Sequence, residues 1–423
     1  METKVFLRKN QILLYIAFSI LILKYYFLFE YLNFSSFESS DSLEYLSASK
    51  NLENTYLNFS GLADPISLSR LPVYPIFLKI FSAKLLVISM QIFLHLIMGA
   101  ICILIISKIL KASNLYLNII ILLLVQFEAS LFVYSYRILS ETLFSFILLL
   151  LIYIIIIKVE KKHNVMLTVF IVILTFLIIL IRPIAIALIL VFIGMSIVEK
   201  KRKLFICLSI LSIVGYGSYS YFNYTKSGMF VYSTTQNSNL FEYEGVPAKA
   251  ISRSVSKQEI QKEESKLRDI ALGKNPTFKE SDDYNRTRGL ELISENKYAF
   301  LKLHVVGAFK VLYGPNKSEL EQIFSDEGRL NLTKIQSTMI LYSSMLITFI
   351  ISSFGIFGAF LYFQKNYIFK LMSLTILSFL ILSSGGSAYG RFRTPISALL
   401  VIFASLVILR LYHSIRNIYL NKV

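Results

Sequence analysis

Long runs of apolar residues constrain this chain more than any other feature of its sequence. The runs at 84–107 and 140–158, for example, contain very few charged residues. A helix needs roughly 20 apolar residues to cross the hydrocarbon layer of a bilayer. The chain has 423 residues, 55% of them hydrophobic, and a mean hydropathy of +0.64, which is too apolar for a soluble domain. The sequence therefore predicts an all-α polytopic membrane protein.

Hydropathy predicts about ten transmembrane helices. We place them near 11–30, 84–107, 116–135, 140–158, 165–181, 184–198, 204–222, 336–363, 367–384 and 395–411. The fifth and sixth are short and are separated only by Arg182 and Pro183, so a re-entrant or sharply turned pair is an alternative.

Lysine and arginine occupy the short loops on one side of these predicted helices. They are Lys4, Arg8, Lys9, Lys108, Lys111, Lys158, Lys161, Lys162, Lys200, Lys201, Arg202, Lys203, Lys365, Arg410, Arg416 and Lys422. Basic loops remain in the cytoplasm. The pattern predicts a multi-pass protein of the cell membrane with both termini cytoplasmic. It also accounts for the net charge of +17 without a nucleic-acid partner.

Two long segments fall on the opposite, outer side. The first outer loop, 31–83, follows the first predicted helix of an N-terminal membrane core, 1–222, and is apolar enough to form juxtamembrane helices at the interface. The second, 223–335, is rich in charges of both signs and predicts a soluble, mostly helical extracytoplasmic insertion. Residues 336–423 supply the last membrane helices and a short basic tail.

Asp41 is the first polar residue that could carry chemistry. With Glu44 it has the spacing of a helix capping box, so a purely structural role is one interpretation. The other is a general base that takes a proton from an attacking group at the rim of a membrane cavity. The two roles are compatible, because a helix N-terminus can also hold the carboxylate in place.

Arginines recur at the outward ends of the apolar segments. Arg70 is either an interfacial anchor beside Pro72 or a phosphate ligand, since a guanidinium matches phosphate oxygens in a bidentate way. Arg182, Arg391 and Arg393 lie at further outward loop ends, on a side otherwise poor in basic residues. Their convergence on an anionic ligand is the simplest explanation.

Three further charged residues are harder to interpret. Arg137 and Glu141 are four residues apart and could simply neutralise each other, yet they fall at the outer rim. Glu128 lies deeper and needs a partner, either as a structural contact or as a group lining a cavity. The histidines and cysteines are scattered, so no metal site or other cofactor is predicted; a divalent cation is an open alternative that nothing in the sequence supports.

Taken in order, these short motifs resemble a known group of membrane enzymes. They are Asp41 with Tyr45 and Ala48, Arg70 with Pro72, Tyr74 and Pro75, Ser140-Glu141, Arg182-Pro183, an amphipathic segment ending at Pro315, and Gly390-Arg391-Phe392-Arg393 before Pro395. The series resembles the GT-C superfamily of polytopic glycosyltransferases, in particular the bacterial branch related to protein O-mannosyltransferases and aminoarabinose transferases. The resemblance runs from residue 11 to about residue 411.

The resemblance implies a function and a set of site residues. The donor would be a polyprenyl-phosphate-linked sugar, and the acceptor an envelope lipid, glycan or protein. Asp41 would be the catalytic base, and Arg70 would contact the lipid phosphate together with Arg182, Arg391 and Arg393. Further residues expected to line the cavity are Tyr45, Tyr74, Glu128, Arg137, Glu141 and Tyr389.

Two other functions fit a multi-spanning protein with outer-face arginines. One is an oligosaccharide polymerase or ligase of the O-antigen type, which lacks a carboxylate in a long first outer loop. The other is a polyprenyl-linked glycan flippase, whose charged groups should line a path through the bilayer instead of clustering at one face.

Overall fold

The structure is a computed structural model that describes residues 2–31, 37–57, 68–111, 114–161, 164–199, 202–273, 275–316, 319–320 and 334–420. Throughout this part of the chain the regular structure is helical, with no β-strand. The predicted all-α class is confirmed. Of the predicted loop cations, Lys162, Lys200, Lys201 and Lys422 lie outside the described residues.

Six helices among the described residues are long and apolar enough to cross a membrane. They are Gln11–Phe29, Lys84–Leu110, Glu141–Glu160, Arg202–Ser227, Thr338–Tyr362 and Gly390–Ser414. A seventh crossing is possible at Leu115–Phe127 and Ala129–Ser135, which are bent by 58° at the break between them. Large apolar side chains such as Phe18, Ile210 and Phe349 are exposed, as expected of a surface that faces lipid. The chain is therefore a multi-pass membrane protein.

Three of the ten predicted crossings coincide with shorter apolar helices, Val165–Ile179, Pro183–Val198 and Tyr367–Ser383. A helix of 15 residues is about 22 Å long, less than the roughly 30 Å hydrocarbon thickness. Length and composition alone therefore establish six or seven crossings, not ten.

In chain order the helices are α1 (Glu2–Tyr31), α2 (Ser40–Lys50), α3 (Val73–Phe81), α4 (Lys84–Leu110), α5 (Leu115–Phe127), α6 (Ala129–Ser135), α7 (Glu141–Glu160), α8 (Val165–Ile179), α9 (Ala187–Val198), α10 (Arg202–Ser227), α11 (Thr234–Asn239), α12 (Val246–Arg253), α13 (Lys257–Leu272), α14 (Phe278–Glu295), α15 (Lys297–Tyr313), α16 (Lys334–Tyr362), α17 (Tyr367–Ser383) and α18 (Thr394–Leu420). Shorter 3₁₀ and π turns occupy Glu53–Leu57, Pro183–Ile186, Leu240–Gly245 and Gly390–Arg393.

Asparagine begins three of the apolar helices. The side chain of Asn114 accepts from the Leu117 amide at 3.2 Å, and that of Asn164 accepts from Leu167 at 3.1 Å. Asn366 accepts from the amides that open α17. The amides in the first turn of a helix have no carbonyl partner within the helix, and the side-chain oxygen of an asparagine cap supplies an acceptor for them. These caps start α5, α8 and α17 at the end of the bundle that carries the basic loops.

The insertion has a small core of its own, formed by Phe241, Val246, Ala250, Ile260 and Leu292. Its last helix, α15, packs against α16 and α17 and so returns the chain to the membrane helices. The contact is close: a Cβ atom added at Gly307 would lie 1.8 Å from the backbone oxygen of Ser384. Glycine is therefore required for α15 to approach the end of α17 at this distance.

Replacing Gly307 with alanine should destabilise the protein, because the methyl group would collide with backbone that cannot move aside cheaply. We expect a loss of about 1–3 kcal/mol, measured by thermal unfolding of the purified protein in detergent. Gly217 is the matched control, since it also lies within a helix but has no atom within 4 Å of an added Cβ. Gly217→Ala should be neutral or mildly stabilising. Equal unfolding midpoints for the two variants would show that the α15 contact does not require glycine.

Candidate active site

The N-terminus of α2 places two carboxylates on one face. Ser39 caps the helix: its hydroxyl accepts from the Ser42 amide at 3.4 Å, and its own amide donates to the Ser42 hydroxyl at 3.0 Å. Serines form this capping box, so the interpretation of Asp41 and Glu44 as the box is wrong. Asp41 and Glu44 lie three residues apart, which brings them together on the same side of the helix.

Arg70 bridges these two carboxylates. Its Nη2 atom is 2.7 Å from Oδ1 of Asp41, and its Nε atom is 2.7 Å from Oε2 of Glu44. The guanidinium also lies over the ring of Tyr45, with 5.0 Å from Cζ to the ring centroid. The Tyr56 hydroxyl donates to the backbone oxygen of Arg70 at 2.9 Å. The Arg70 side chain is thus held by three residues of α2, and its backbone is held by Tyr56.

A second arginine reaches Asp41 from the far end of the sequence. Nη1 of Arg391 is 2.7 Å from Oδ2 of Asp41, so each oxygen of this carboxylate bonds to a different guanidinium. The Nε atom of Arg391 pairs with Glu141 at the start of α7, and Glu141 pairs in turn with Arg182. Six side chains thus alternate in charge, and we call them the ion-pair chain: Glu44, Arg70, Asp41, Arg391, Glu141 and Arg182.

Solvent exposure differs between the members of the ion-pair chain. The Glu141 side chain is 1% exposed, the three arginines are 13–16%, Asp41 is 26% and Glu44 is 44%. The cluster is therefore most buried at Glu141 and has an open end on α2. A ligand arriving from outside would meet Glu44 and Asp41 first, with Arg70 and Arg391 directly behind them.

The electrostatic state of Asp41 follows from these neighbours. Burial by itself would raise its pKa, but Arg391 and Arg70 more than offset burial and lower the pKa of Asp41 from 3.8 to about 2. Opposite charges within hydrogen-bond distance favour the ionised form. At neutral pH Asp41 is a carboxylate with both oxygens engaged.

The three predicted tyrosines have different positions. Tyr45 is buried under Arg70, and its hydroxyl is 3.2 Å from the hydroxyl of Ser140. The hydroxyl of Tyr389 accepts from Arg391 at 3.4 Å and is also close to the cluster. Tyr74 packs edge-on against Tyr45, with ring centroids 4.9 Å apart, and donates to Gln91 at 2.9 Å. It is fully buried and supports the site without facing it.

Arg393 was predicted to bind the donor phosphate, but the structure gives it a different task. Its side chain is fully buried, and its Nη1 atom donates to the backbone oxygens of Val311 (3.0 Å), Leu312 (3.0 Å) and Gly314 (3.2 Å). The remaining donors reach the Ser130 hydroxyl at 2.8 Å and the Glu128 carboxylate at 3.1 Å. With its donors on protein atoms, Arg393 ties α15 to α6 and α18. We therefore leave it out of the ligand-binding set.

Glu128 belongs to the same buried contact. It caps α6 by accepting from the Leu131 amide at 2.9 Å and pairs with Arg393 through its other oxygen. Of the two roles left open by the sequence, the structural one fits this fully buried position, and the predicted cavity-lining role does not. The cap also explains the 58° bend, because Glu128 ends α5 and begins α6.

Arg137 contacts the first outer segment and is close enough to Arg391 for the two charges to repel. It is buried, its Nη1 atom donates to the backbone oxygen of Glu38 at 3.3 Å, and its backbone oxygen accepts from Gln91 at 2.6 Å. Glu141 pairs with Arg182 and Arg391, so the proposed neutralisation of Glu141 by Arg137 does not describe the contacts found.

Two residues near the site were not singled out by sequence. From the sequence, Glu44 is assigned only to a helix cap. Its three-residue spacing from Asp41 on one helix nevertheless predicts that both carboxylates can reach the same partner. Asn316 approaches the loop that carries Arg391: a Cβ atom at Gly390 would lie 2.5 Å from its Oδ1 atom. Asn316 also donates to Ser130 at 2.9 Å. No local pattern in the sequence identifies this contact.

Within the described ranges, no group of three or more His, Cys, Asp or Glu side chains is arranged to hold a metal ion. A cavity of about 280 Å³ lies far from the cluster, near the other end of α18, and is lined in part by Lys365, Arg410 and His413. The chemistry available at the ion-pair chain is therefore that of an accessible carboxylate backed by guanidiniums. Such a set can hold an anion and accept a proton from a neighbouring hydroxyl or amine.

Comparison with known proteins adds no relative: no family model matches this chain, and neither a curated protein nor a solved structure shows significant similarity to it.

The contribution of Asp41 to stability should depend on pH. Its pKa is lowered on folding from 3.8 to about 2, so the stabilisation is present above the unfolded value and is lost as the pH falls toward 2. A shift of this size corresponds to roughly 2 kcal/mol. The difference in unfolding free energy between the wild type and Asp41→Asn should therefore narrow between pH 4 and pH 2, as measured by chemical unfolding in detergent. A difference that stays constant over this range would mean that Asp41 is not held by the arginines.

Proposed function

We propose that this protein is a membrane glycosyltransferase that moves a hexosyl or pentosyl group from a polyprenyl-phosphate donor to a cell-envelope lipid, glycan or protein. The observation that carries the proposal is the ion-pair chain. Three segments distant in sequence bring one partly exposed carboxylate, Asp41, against Arg70 and Arg391. A phosphate group and an acceptor proton are the two things this arrangement is suited to bind.

The transfer would proceed as a single displacement at the anomeric carbon. Asp41 takes the proton from the acceptor hydroxyl or amine as its oxygen or nitrogen attacks that carbon. The bond between the carbon and the phosphate oxygen breaks, and the polyprenyl phosphate leaves with the electron pair. Arg70 and Arg391 stabilise the charge that develops on this oxygen, so no general acid is needed.

The proposal includes an orientation. The ion-pair chain would face the outside of the cell membrane, with both termini in the cytoplasm and the three short apolar helices also crossing, which gives ten spans. Contacts at the two ends of α9 support this topology. Arg182, just before it, pairs with Glu141, whereas Val198 at its other end accepts from Lys370 of α17 at 3.2 Å. The first of these contacts lies in the cluster and the second among the basic loops.

The proposed substrates can be identified by mass spectrometry of envelope glycolipids and glycans from cells with and without the protein. A sugar that is missing from one glycolipid or glycan names the donor and the acceptor together. Transport of a polyprenyl-linked glycan across sealed vesicles, without any covalent product, would favour a flippase instead.

Replacing Asp41 with asparagine should slow transfer strongly, because the amide cannot accept the acceptor proton. General base catalysis is worth about 10²- to 10⁴-fold in rate, and we expect a loss in this range in reconstituted vesicles. Glu38→Gln is the matched control, since Glu38 lies in the same segment but pairs with Lys84. Near-wild-type turnover by a folded Asp41→Asn protein would overturn the base assignment.

Replacing Arg70 or Arg391 with alanine should weaken use of the donor. The guanidinium contacts phosphate oxygens in the bound donor, so the KM for the polyprenyl-phosphate sugar should rise about tenfold or more. Arg253→Ala serves as the control, because Arg253 is exposed on the insertion and pairs with Glu263. An unchanged dependence of the rate on donor concentration would exclude these arginines as donor ligands.

A further inference from the structure

The proposed base is also the most tightly held carboxylate at the open end of the cluster. Both oxygens of Asp41 accept from guanidiniums at 2.7 Å, one from Arg70 and one from Arg391. A carboxylate in this state is a weak base, because accepting a proton means giving up two charge-assisted hydrogen bonds. The free protein therefore holds Asp41 in a form poorly suited to deprotonate an acceptor.

The ion-pair chain is electrically balanced. It contains three carboxylates and three guanidiniums, so the arginines have no surplus charge to offer an anion. A phosphate placed beside Arg70 and Arg391 would leave the cluster with excess negative charge in a half-buried site, where like charges repel more strongly than in water. The phosphate and Asp41 must compete for the same two cations.

The geometry shows which carboxylate can leave the arginines when a phosphate binds. Arg70 keeps its bond to Glu44 and its stacking on Tyr45 if Asp41 withdraws, and Arg391 keeps its pairing with Glu141. Both guanidiniums would stay in position. Asp41 lies in the first turn of α2 with its side chain 26% exposed, so it has an open side to turn toward. Glu141, by contrast, is buried between two arginines.

We propose, on the basis of the function proposed above, that the donor phosphate displaces Asp41 from Arg70 and Arg391 and thereby frees it to act as the base. Until the donor binds, the two arginines hold Asp41 in ion pairs that prevent it from acting as the base. Activation of the acceptor follows donor binding, and an acceptor that arrives first meets an occupied carboxylate. The coupling is reciprocal, since whatever removes Asp41 from the arginines must also strengthen the binding of phosphate.

The test is the affinity of the protein in lipid nanodiscs for polyprenyl phosphate, the donor without its sugar. Asp41→Asn removes the competing charge and should bind polyprenyl phosphate about 5- to 150-fold more tightly than the wild type, the usual range of coupling between two sites. Glu44→Gln removes a competitor for Arg70 alone and should give a smaller gain. Glu38→Gln, which removes a nearby charge paired with Lys84, should leave the affinity unchanged.

Each outcome separates the two proposals. Binding by all proteins, with Asp41→Asn no tighter than the wild type, would overturn the exchange and leave the donor site standing. No binding by any of the proteins would overturn the donor site and the exchange together. A single cooperative unfolding transition would establish that Asp41→Asn is folded, even at the lower midpoint expected from the loss of its ion pairs, and Asp41→Ser provides a second variant without the charge.

Discussion

The contact between Asp41 and its two arginines is the interaction on which one end of the helix bundle depends. It joins α2 to Arg70 in the first outer segment and to Arg391 just before the last helix. Asp41 and Arg391 are 350 residues apart in the sequence. Glu141 and Arg182 extend the connection to α7 and to the turn between α8 and α9. Removing the charge of any one member takes one counter-ion away from each of its neighbours, so the segments are held as a group.

A second buried contact keeps this group in register with the membrane helices. Arg393 binds carbonyls at the end of α15, a hydroxyl on α6 and the carboxylate that caps α6. It lies two residues from Arg391, so the same short turn supplies one arginine to the site and another to the support. The backbone position of Arg391 is thus determined by the fold beneath it, and its ion pairs with Asp41 and Glu141 orient the side chain.

Much of the site could be predicted from the sequence, because charged residues at membrane depth are rare and here they fall on one side of the predicted helices. The sequence predicts five charged residues at one membrane boundary, and the structure brings them into one chain of contacts. They are Asp41, Arg70, Glu141, Arg182 and Arg391. The separate roles of Arg391 and Arg393 could not be predicted. In a 3₁₀ turn successive residues rotate by roughly 120°, so positions two apart face different surroundings, and only tertiary packing decides which surroundings are buried. The number of membrane crossings could not be determined from the sequence either, because three of the predicted helices are apolar but only 12 to 17 residues long.

The open end of the ion-pair chain, at Glu44 and Asp41, bears on how the proposed anionic head group would reach the site. A cluster whose charges cancel creates little field beyond the screening distance of about 8 Å at physiological salt, so it cannot attract anions from bulk solution. Delivery of the proposed lipid-linked donor would therefore depend on lateral diffusion within the leaflet, with recognition beginning only at contact.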